Sequence, residues 1–451
     1  MKQNTKGLLL LAVTFIFSTF SFGQAKKWTL EECVAYAIEH NITIRQSNLD
    51  KQLSDISKKD AIGRFLPSIN GQASHSWSTG LSNDPLTGVK QNQTTESSNF
   101  GASASVDIYK GLQNQNELRK AKLSIIASQY QLTKIQEDVS LNVVNAYLQI
   151  LFNKENLKVQ QEQLAFDNQQ LEKSNELVEA GVIPKGDLLD VKATVATDNQ
   201  RLIAAENALL ISKLSLAQLL QLENFEEFDI VEADTASEES TILMEDPKVI
   251  LGKAKETRTE LKLAQTNVQI SEKEVKIAKG AYQPSLSASY NIGTSILHRN
   301  TLIDSSLIPS FSDQFKDNLG QNFGLSLTVP VFNGFSARNN VLRSKIALER
   351  SKIALEQQEL DLERTVFTAY TDTKGALKTH EAAVATLEAR EGAFQYAKER
   401  YEVGLMNVFD FNQAQTLYVN AQSEVLRTKY DYIFRTKILE FYFGIPIIKK
   451  N

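Results

Sequence analysis

The stretch Asn99-Phe-Gly-Ala-Ser-Ala-Ser-Val-Asp-Ile-Tyr-Lys-Gly111 returns 223 residues later as Asn322-Phe-Gly-Leu-Ser-Leu-Thr-Val-Pro-Val-Phe-Asn-Gly334, with six of 13 positions identical. The offset persists downstream: Tyr147 matches Tyr370, Gly181 matches Gly404, and Asp187 matches Asp410. More than a hundred residues align without a gap. Self-similarity on this scale is a property of the fold, and it makes the chain a tandem duplicate.

Each copy opens with strict alternation. Phe100, Ala102, Ala104, Val106 and Ile108 fall on one face, Gly101, Ser103, Ser105 and Asp107 on the other. Phe323, Leu325, Leu327, Val329 and Val331 repeat this against Gly324, Ser326, Thr328 and Pro330. Period two predicts a strand with one apolar and one polar side. A turn glycine follows, Gly111 or Gly334. Then Leu112 to Ala180 runs 69 residues without Gly or Pro. At about 1.5 Å per residue this predicts roughly 100 Å of helix.

Worked outward, each copy predicts the same order. The first repeat, 24–222, has helices over 28–63, strands 68–77 and 98–109, a long helix 112–180 and a return helix 187–222. The second, 247–451, has helices 247–281, strands 285–296 and 322–332, a long helix 335–403 and a return helix 410–443. Thr29 and Glu32 form a capping box, and Asn41 marks a break. Residues 78–97 read as a polar loop, and about 297–321 as a second, longer loop. Pro67, Pro284 and Pro330 stand at the strand ends as barrel hinge prolines, since proline continues neither helix nor ladder. Asp187 and Asp410 read as N-caps after the tips at Gly181 and Gly404. Gly375 and Gly392 mark bending or close packing in the second long helix. Residues 223–246 form an acidic linker with ten carboxylates and no basic residue, with a short strand near Phe228 to Val231.

Residues 1–23, with Lys2 and Lys6 before an apolar core, read as a secretory signal peptide. No other run approaches 18 consecutive apolar residues, so no transmembrane helix is expected. Cys33, the sole cysteine, sits ten residues past the cleavage site in a helical pattern. It reads as a buried thiol, not a lipid anchor. Without Lys2 and Lys6 the chain carries 47 basic and 54 acidic residues, a net −7, which argues against nucleic acid. The four histidines lack metal-ligand spacing, and no phosphate loop or nucleophile motif is present. Neither cofactor nor catalysis is expected.

The strands decide the solvent. Their polar faces are Ser, Asn, Thr and Gly, suited to a water-filled lumen, and their length suits a membrane strand of about 9–11 residues. Trp77, Tyr109, Tyr290 and Phe332 lie near strand ends, where an aromatic girdle sits. A soluble sheet with scattered aromatics is the competing reading. Four strands cannot close, and open edges are not tolerated in lipid. Copies must therefore share a barrel: two would give eight strands, three would give twelve. The helices, rich in Lys, Glu and Gln, belong in water.

These elements resemble the TolC-like outer membrane efflux protein family, the outer membrane factors. The matching motifs are Leu30-Glu-Glu-Cys-Val-Ala-Tyr-Ala-Ile-Glu-His-Asn41, Leu66-Pro67-Ser68, Val329-Pro-Val-Phe-Asn-Gly334, and Val403-Gly404-Leu405 with Asp410. The resemblance implies an α+β membrane protein: a homotrimer with a 12-stranded β-barrel in the outer membrane of a Gram-negative bacterium, continued by an α-helical barrel in the periplasm. It implies a passive export duct serving efflux or type I secretion, docked to a periplasmic adaptor (membrane fusion protein) and an inner-membrane transporter. The tips Gly181, Val182, Gly404 and Leu405 become adaptor-docking sites. Asp187, Asp410 and Tyr401 become a periplasmic gate, with the Tyr401 hydroxyl reaching Asp187. Met406 stands where relatives carry an Arg in their latch. The exported substrate is not written in the sequence. The alternative is a periplasmic coiled-coil adaptor or structural protein; an adaptor normally has one hairpin, without membrane-type strands.

Overall fold

The structure is a computed structural model and describes residues 27–83, 88–224, 227–232, 241–299 and 309–446. The expected signal peptide, part of the acidic linker and part of the second hairpin loop lie outside the described residues. The elements in order are β1 (Lys27–Trp28), α1 (Leu30–His40), α2 (Ile42–Gly63), β2 (Ser68–Asn83), β3 (Lys90–Lys110), α3 (Gln113–Glu179), α4 (Lys185–Leu220), β4 (Asp229–Ile230), a 3-10 turn (Thr241–Met244), α5 (Pro247–Thr257), α6 (Thr259–Gly280), β5 (Ser285–Arg299), α7 (Phe311–Asp317), β6 (Gly320–Thr328), α8 (Ser336–Glu402) and α9 (Val408–Phe443).

The duplication is visible in the lengths. Helices of 11, 22, 67 and 36 residues occur in that order in each half. Before the hairpins the halves are offset by 217 (247 − 30 and 259 − 42); after them by 223 (336 − 113 and 408 − 185). The six extra residues all fall in the second hairpin. Loop tips absorb insertions because little packs on them.

Local chemistry sets the boundaries. Thr29 Oγ1 accepts from the Glu32 amide (3.2 Å), and Glu32 Oε2 accepts from the Thr29 amide (3.1 Å), closing the capping box. At the next break Asn41 is buried; its Oδ1 accepts from the Thr43 amide and its Nδ2 donates to the Leu219 carbonyl (3.0 Å). The equivalent residue, Arg258 (41 + 217), uses different chemistry. Its guanidinium donates to Glu137 Oε2 (3.0 Å) and lies 3.8 Å over the Phe441 ring. The strand-to-helix turns place Gly111, Leu112, Gly334 and Phe335 all at φ near +60°.

The chain divides into two compact units. The helical unit, from Met1–Ser47, Thr133–Arg258 and Glu359–Asn451, centres on Cys33, Tyr147, Ile150, Leu216, Leu220, Ile230, Ile250 and Leu439, all buried. There β1 pairs in parallel with β4, the short strand foreseen in the linker, and Tyr147 donates its hydroxyl to the Val231 carbonyl (2.8 Å). The sheet unit, from Asn48–Leu132 and Thr259–Gln358, carries the antiparallel order β2-β3-β5-β6. Equivalent serines tie its helices: Ser54 to Ser128 (2.6 Å), and Ser271 to Ser351 (2.9 Å).

Several expectations are corrected. Residues 78–97 are not a polar loop: β2 and β3 pair through Ser78–Thr95 to Asn83–Lys90. Hydroxyl pairs such as Thr79 to Thr94 (3.0 Å) stabilise strands that lack apolar alternation. The last strand ends at Thr328, not 332. Helix α7 occupies part of the second expected loop. A bulge at Ile108 shifts the register, so Tyr109 rather than Ile108 lies opposite Leu286. Neither Asp187 nor Asp410 is an N-cap. Helix α4 starts after Pro184, whose fixed φ suits that boundary, and α9 after Asn407, whose Oδ1 accepts from the Asp410 amide (2.8 Å). Gly375 and Gly392 lie within unbroken helix, and a Cβ added at either would meet no neighbouring element within 4 Å. Among the described residues one helix, α4, is apolar and long enough by length and composition to cross a membrane, although charged residues interrupt its apolar runs.

Candidate channel-forming sheet and helix tips

The register aligns the apolar positions of all four strands. Ile69 faces Ala104, Ala73 faces Phe100, Ala104 faces Tyr290, Ala288 faces Leu325, and Leu286 faces Leu327. The opposite side is Ser68, Asn70, Ser103, Ser105, Ser287, Asn291, Ser289 and Ser326. One face is thus a continuous apolar surface and the other a polar one. Among the described residues most of the apolar side is uncovered: Leu327 is 65% exposed, and Phe323, Leu325 and Val329 are also exposed, while α7 covers only the part beside Phe100. Among the described residues strands β2 and β6 each have only one partner strand. Pro67 and Pro284 immediately precede β2 and β5, and Pro330 lies two residues past β6, so each sits where the ladder requires no amide donor.

The tips belong to the helical unit and are built identically. The Val182 amide donates to the Leu177 carbonyl (2.8 Å) and the Leu405 amide to the Arg400 carbonyl (2.8 Å). Gly181 and Gly404 supply the left-handed residue of each closure, at φ +72° and +75°. Val182 and Leu405 remain 65% and 68% exposed, with Leu189, Val403 and Phe409 also exposed. The tips therefore present backbone and apolar side chains outward.

Of the expected gate residues, Asp187 and Asp410 occupy first-turn positions of α4 and α9, where the helix dipole favours a carboxylate. Tyr401 is bonded to a residue other than Asp187 within the described protomer. Its hydroxyl accepts from Gln170 Nε2 (3.0 Å), and its ring stacks on Phe411 at 4.6 Å. Phe411 belongs to a cluster with Phe166, Phe394 and Tyr418 that joins α3, α8 and α9.

Beside it lies a feature that the sequence reading missed. Asp167 and Asp198 are each 2% exposed, and their carboxyls are neighbours. Asp167 accepts from Gln415 Nε2 and Gln163 Nε2 (both 2.6 Å), and Asp198 Oδ1 from Arg201 (2.9 Å). Asp198 Oδ2 has no donor. Burial, then the neighbouring carboxyl, pushes the Asp167 pKa up to about 7. A proton retained on Asp167 relieves the repulsion between two neighbouring buried carboxyls. The available signal was a departure from the repeat: the equivalents of Asp167, Asp198 and Gln415 are Arg390, Ala421 and Lys192. Among the described residues no group of three metal-ligating side chains occurs.

The model of the family described as outer membrane efflux protein matches residues 36–221 and 250–443. Outer membrane protein TolC of Escherichia coli K12 is 21% identical over 444 residues, covering 95% of this chain and 84% of TolC. A membrane protein from Pseudomonas aeruginosa shares the fold with a TM-score of 0.77 at 16% identity, over 92% of each chain. The CmeC outer membrane channel of Campylobacter jejuni does so with a TM-score of 0.75 at 19% identity, over 92% of this chain and 85% of CmeC. The chain belongs to the outer membrane efflux protein family and acts as an outer-membrane export channel.

Proposed function

We propose that three copies close their sheets into one 12-stranded barrel, and that their helices form a passive periplasmic duct docked to an adaptor and an inner-membrane transporter. The observation that carries this is the four-stranded sheet with an exposed apolar face, a polar reverse and two unpaired edges. In lipid, such edges must be paired. The internal repeat supplies the register. Strand β3 pairs with β5 so that Phe100, Gly101, Ser103 and Ala104 face Thr294, Gly293, Asn291 and Tyr290. Moving β3 by +223 onto β6, and β5 by −217 onto β2, places β6 against β2 of a neighbouring copy. Phe323 then faces Trp77, Leu325 faces His75, Ser326 faces Ser74, and Leu327 faces Ala73. Three of these four pairs match in polarity, Leu325 on His75 being the exception, which supports the join.

The tips at Gly181, Val182, Gly404 and Leu405 are the adaptor contact, since a helical hairpin tip can pack on the apolar residues they expose. Asp187 and Asp410, repeated around the ring, supply a cation-favouring field at the tip end. Tyr401 steadies the tip through Gln170 and Phe411. The test is conductance of the purified protein in planar bilayers. A water-filled duct gives stable single-channel steps; a periplasmic adaptor or coiled-coil protein gives none. Replacing Gly181 and Gly404 with Trp should abolish export while leaving the channel assembled.

A further inference from the structure

Helix α7 has no counterpart in the first hairpin, which lacks the six inserted residues. It packs on the apolar side of the sheet. The Phe100 ring, between Ala73 and Thr294 in the register, lies 6.4 Å from Phe311 and 6.1 Å from Phe315. Thr294 Oγ1 donates to the Phe315 carbonyl (3.0 Å). Beyond Gly293, β5 has lost β6 as a partner, and α7 takes its place. Gln314 Oε1 accepts from the Leu297 amide (2.9 Å), and Asn318 Nδ2 donates to the Ser295 carbonyl. Edge groups that lipid could not satisfy are thereby bonded. Yet Phe311, Phe315 and Leu319 remain 59%, 40% and 46% exposed. Asp313, Lys316 and Asp317 complete an amphipathic helix.

The height of α7 along the strands matters. From Lys110 to Phe100 is ten residues, about 33 Å of strand at ~3.3 Å each. Tilted by ~45°, that spans roughly 23 Å, near the ~25 Å apolar band of a membrane barrel. Farther along β3, Lys90 to Asn99 contains no apolar residue. On the same face beyond this level β2 carries only Trp77 and Leu81 as large apolar residues, so helix α7 sits where the apolar surface thins, the level at which aromatic side chains such as Trp77 anchor.

We propose that α7 is an interfacial helix, seated at the outer rim of the barrel with Phe311 and Leu319 among lipid acyl chains. This rests on the reading that the apolar sheet face meets lipid. It extends that face over a segment whose composition reads as a soluble loop, and it makes the second hairpin a membrane anchor.

The test places a nitroxide spin label on Phe311→Cys and, separately, Leu319→Cys, with Leu325→Cys and Ser326→Cys as references on the two sheet faces. Cys33 is fully buried, and labelled wild-type protein gives its background. The assembled protein is reconstituted in phosphatidylcholine–phosphatidylglycerol vesicles, and accessibility to oxygen and to a water-soluble nickel complex is read by EPR. The expected result is an oxygen-to-nickel ratio at 311 and 319 matching 325 and several-fold above 326. With a lipid-like 325, a nickel-accessible 311 and 319 would put α7 in water and overturn the proposal. Labels shielded from both reagents would mean that a second copy covers α7, which also overturns it. A water-like 325 would instead remove the barrel reading on which the proposal rests.

Discussion

Gly111 and Gly334 are equivalent in the repeat, share a left-handed backbone (φ +57° and +61°), and meet different surroundings. A Cβ on Gly111 would lie 2.2 Å from the Gly280 carbonyl oxygen and 3.0 Å from its carbon. Around Gly334 nothing lies within 4 Å. The equivalent of Gly280 is Gly63 (280 − 217), and it too is open. The proposed ring resolves the asymmetry: Gly334 should meet Gly63 of the neighbouring copy as Gly111 meets Gly280 within the chain. Alanine at either turn carries a left-handed cost of about 1–2 kcal/mol. At Gly111 the overlap is with backbone, which must move by most of an ångström, adding roughly 1–3 kcal/mol or more. Gly111→Ala should therefore reduce folded protomer. Gly334→Ala should leave the protomer folded but weaken its assembly by a similar amount. Urea titration in detergent reads folding, and gel-resolved oligomer fraction reads assembly. The reasoning is refuted if Gly334→Ala assembles as wild type, or if both variants lose folded protomer equally.

Leu327→Arg should impair membrane assembly by about 2–4 kcal/mol near the midplane, whereas Ser326→Arg should assemble and change conductance; equal losses in outer-membrane yield would contradict the face assignment. The proton on the Asp167 pair gives a pH dependence with a definite sign. The folded pKa, about 7, exceeds the ordinary aspartate value of 3.8, so this contribution to stability is fully present below about pH 4 and is lost as pH rises through 7. Asp167→Asn should flatten that slope and stabilise the helical unit at pH 8, by a few kcal/mol at most; an unchanged denaturation profile between pH 5 and 8 would remove the retained proton. Asp187→Ala combined with Asp410→Ala should lower cation selectivity in planar bilayers, and an unchanged reversal potential would confine both residues to helix-end electrostatics. Tyr401→Phe removes the acceptor for Gln170 but keeps the Phe411 stack, and should raise open probability modestly, a loss of about 1 kcal/mol from the closed tip.

The long helices and their return helices were legible to within about two residues at each end, while the short α7 was not. Gly and Pro punctuate them, and a 69-residue interval free of both became a 67-residue helix. The strands were read short because periodicity detects only amphipathic strands, and the outer half of β3 has no apolar residue while that of β2 has only Trp77 and Leu81. The caps were displaced because Asn407 and Pro184 compete with Asp for the same boundary, and only backbone geometry separates a cap from a first-turn carboxylate. The two-faced sheet was readable from alternation, whereas the bulge at Ile108 was not, since both Ile108 and Tyr109 satisfy an apolar position. The Asp167–Asp198 pair was hidden because burial of a helical carboxylate depends on which neighbouring helix covers it.

The central claim, a barrel closed by β6 of one copy on β2 of the next, is tested most directly by disulfide formation between Leu325→Cys and His75→Cys in one chain. Directly opposed residues bring Cβ atoms to about 4.5–5.5 Å, close enough for a bridge after small adjustment. Oxidised outer membranes should yield cross-linked dimers and trimers, nothing larger, while Leu325→Cys with Ser76→Cys, one residue out of register, should give little product. Absence of cross-linking in the first pair, or a ladder extending beyond three copies, would contradict the closed three-copy barrel.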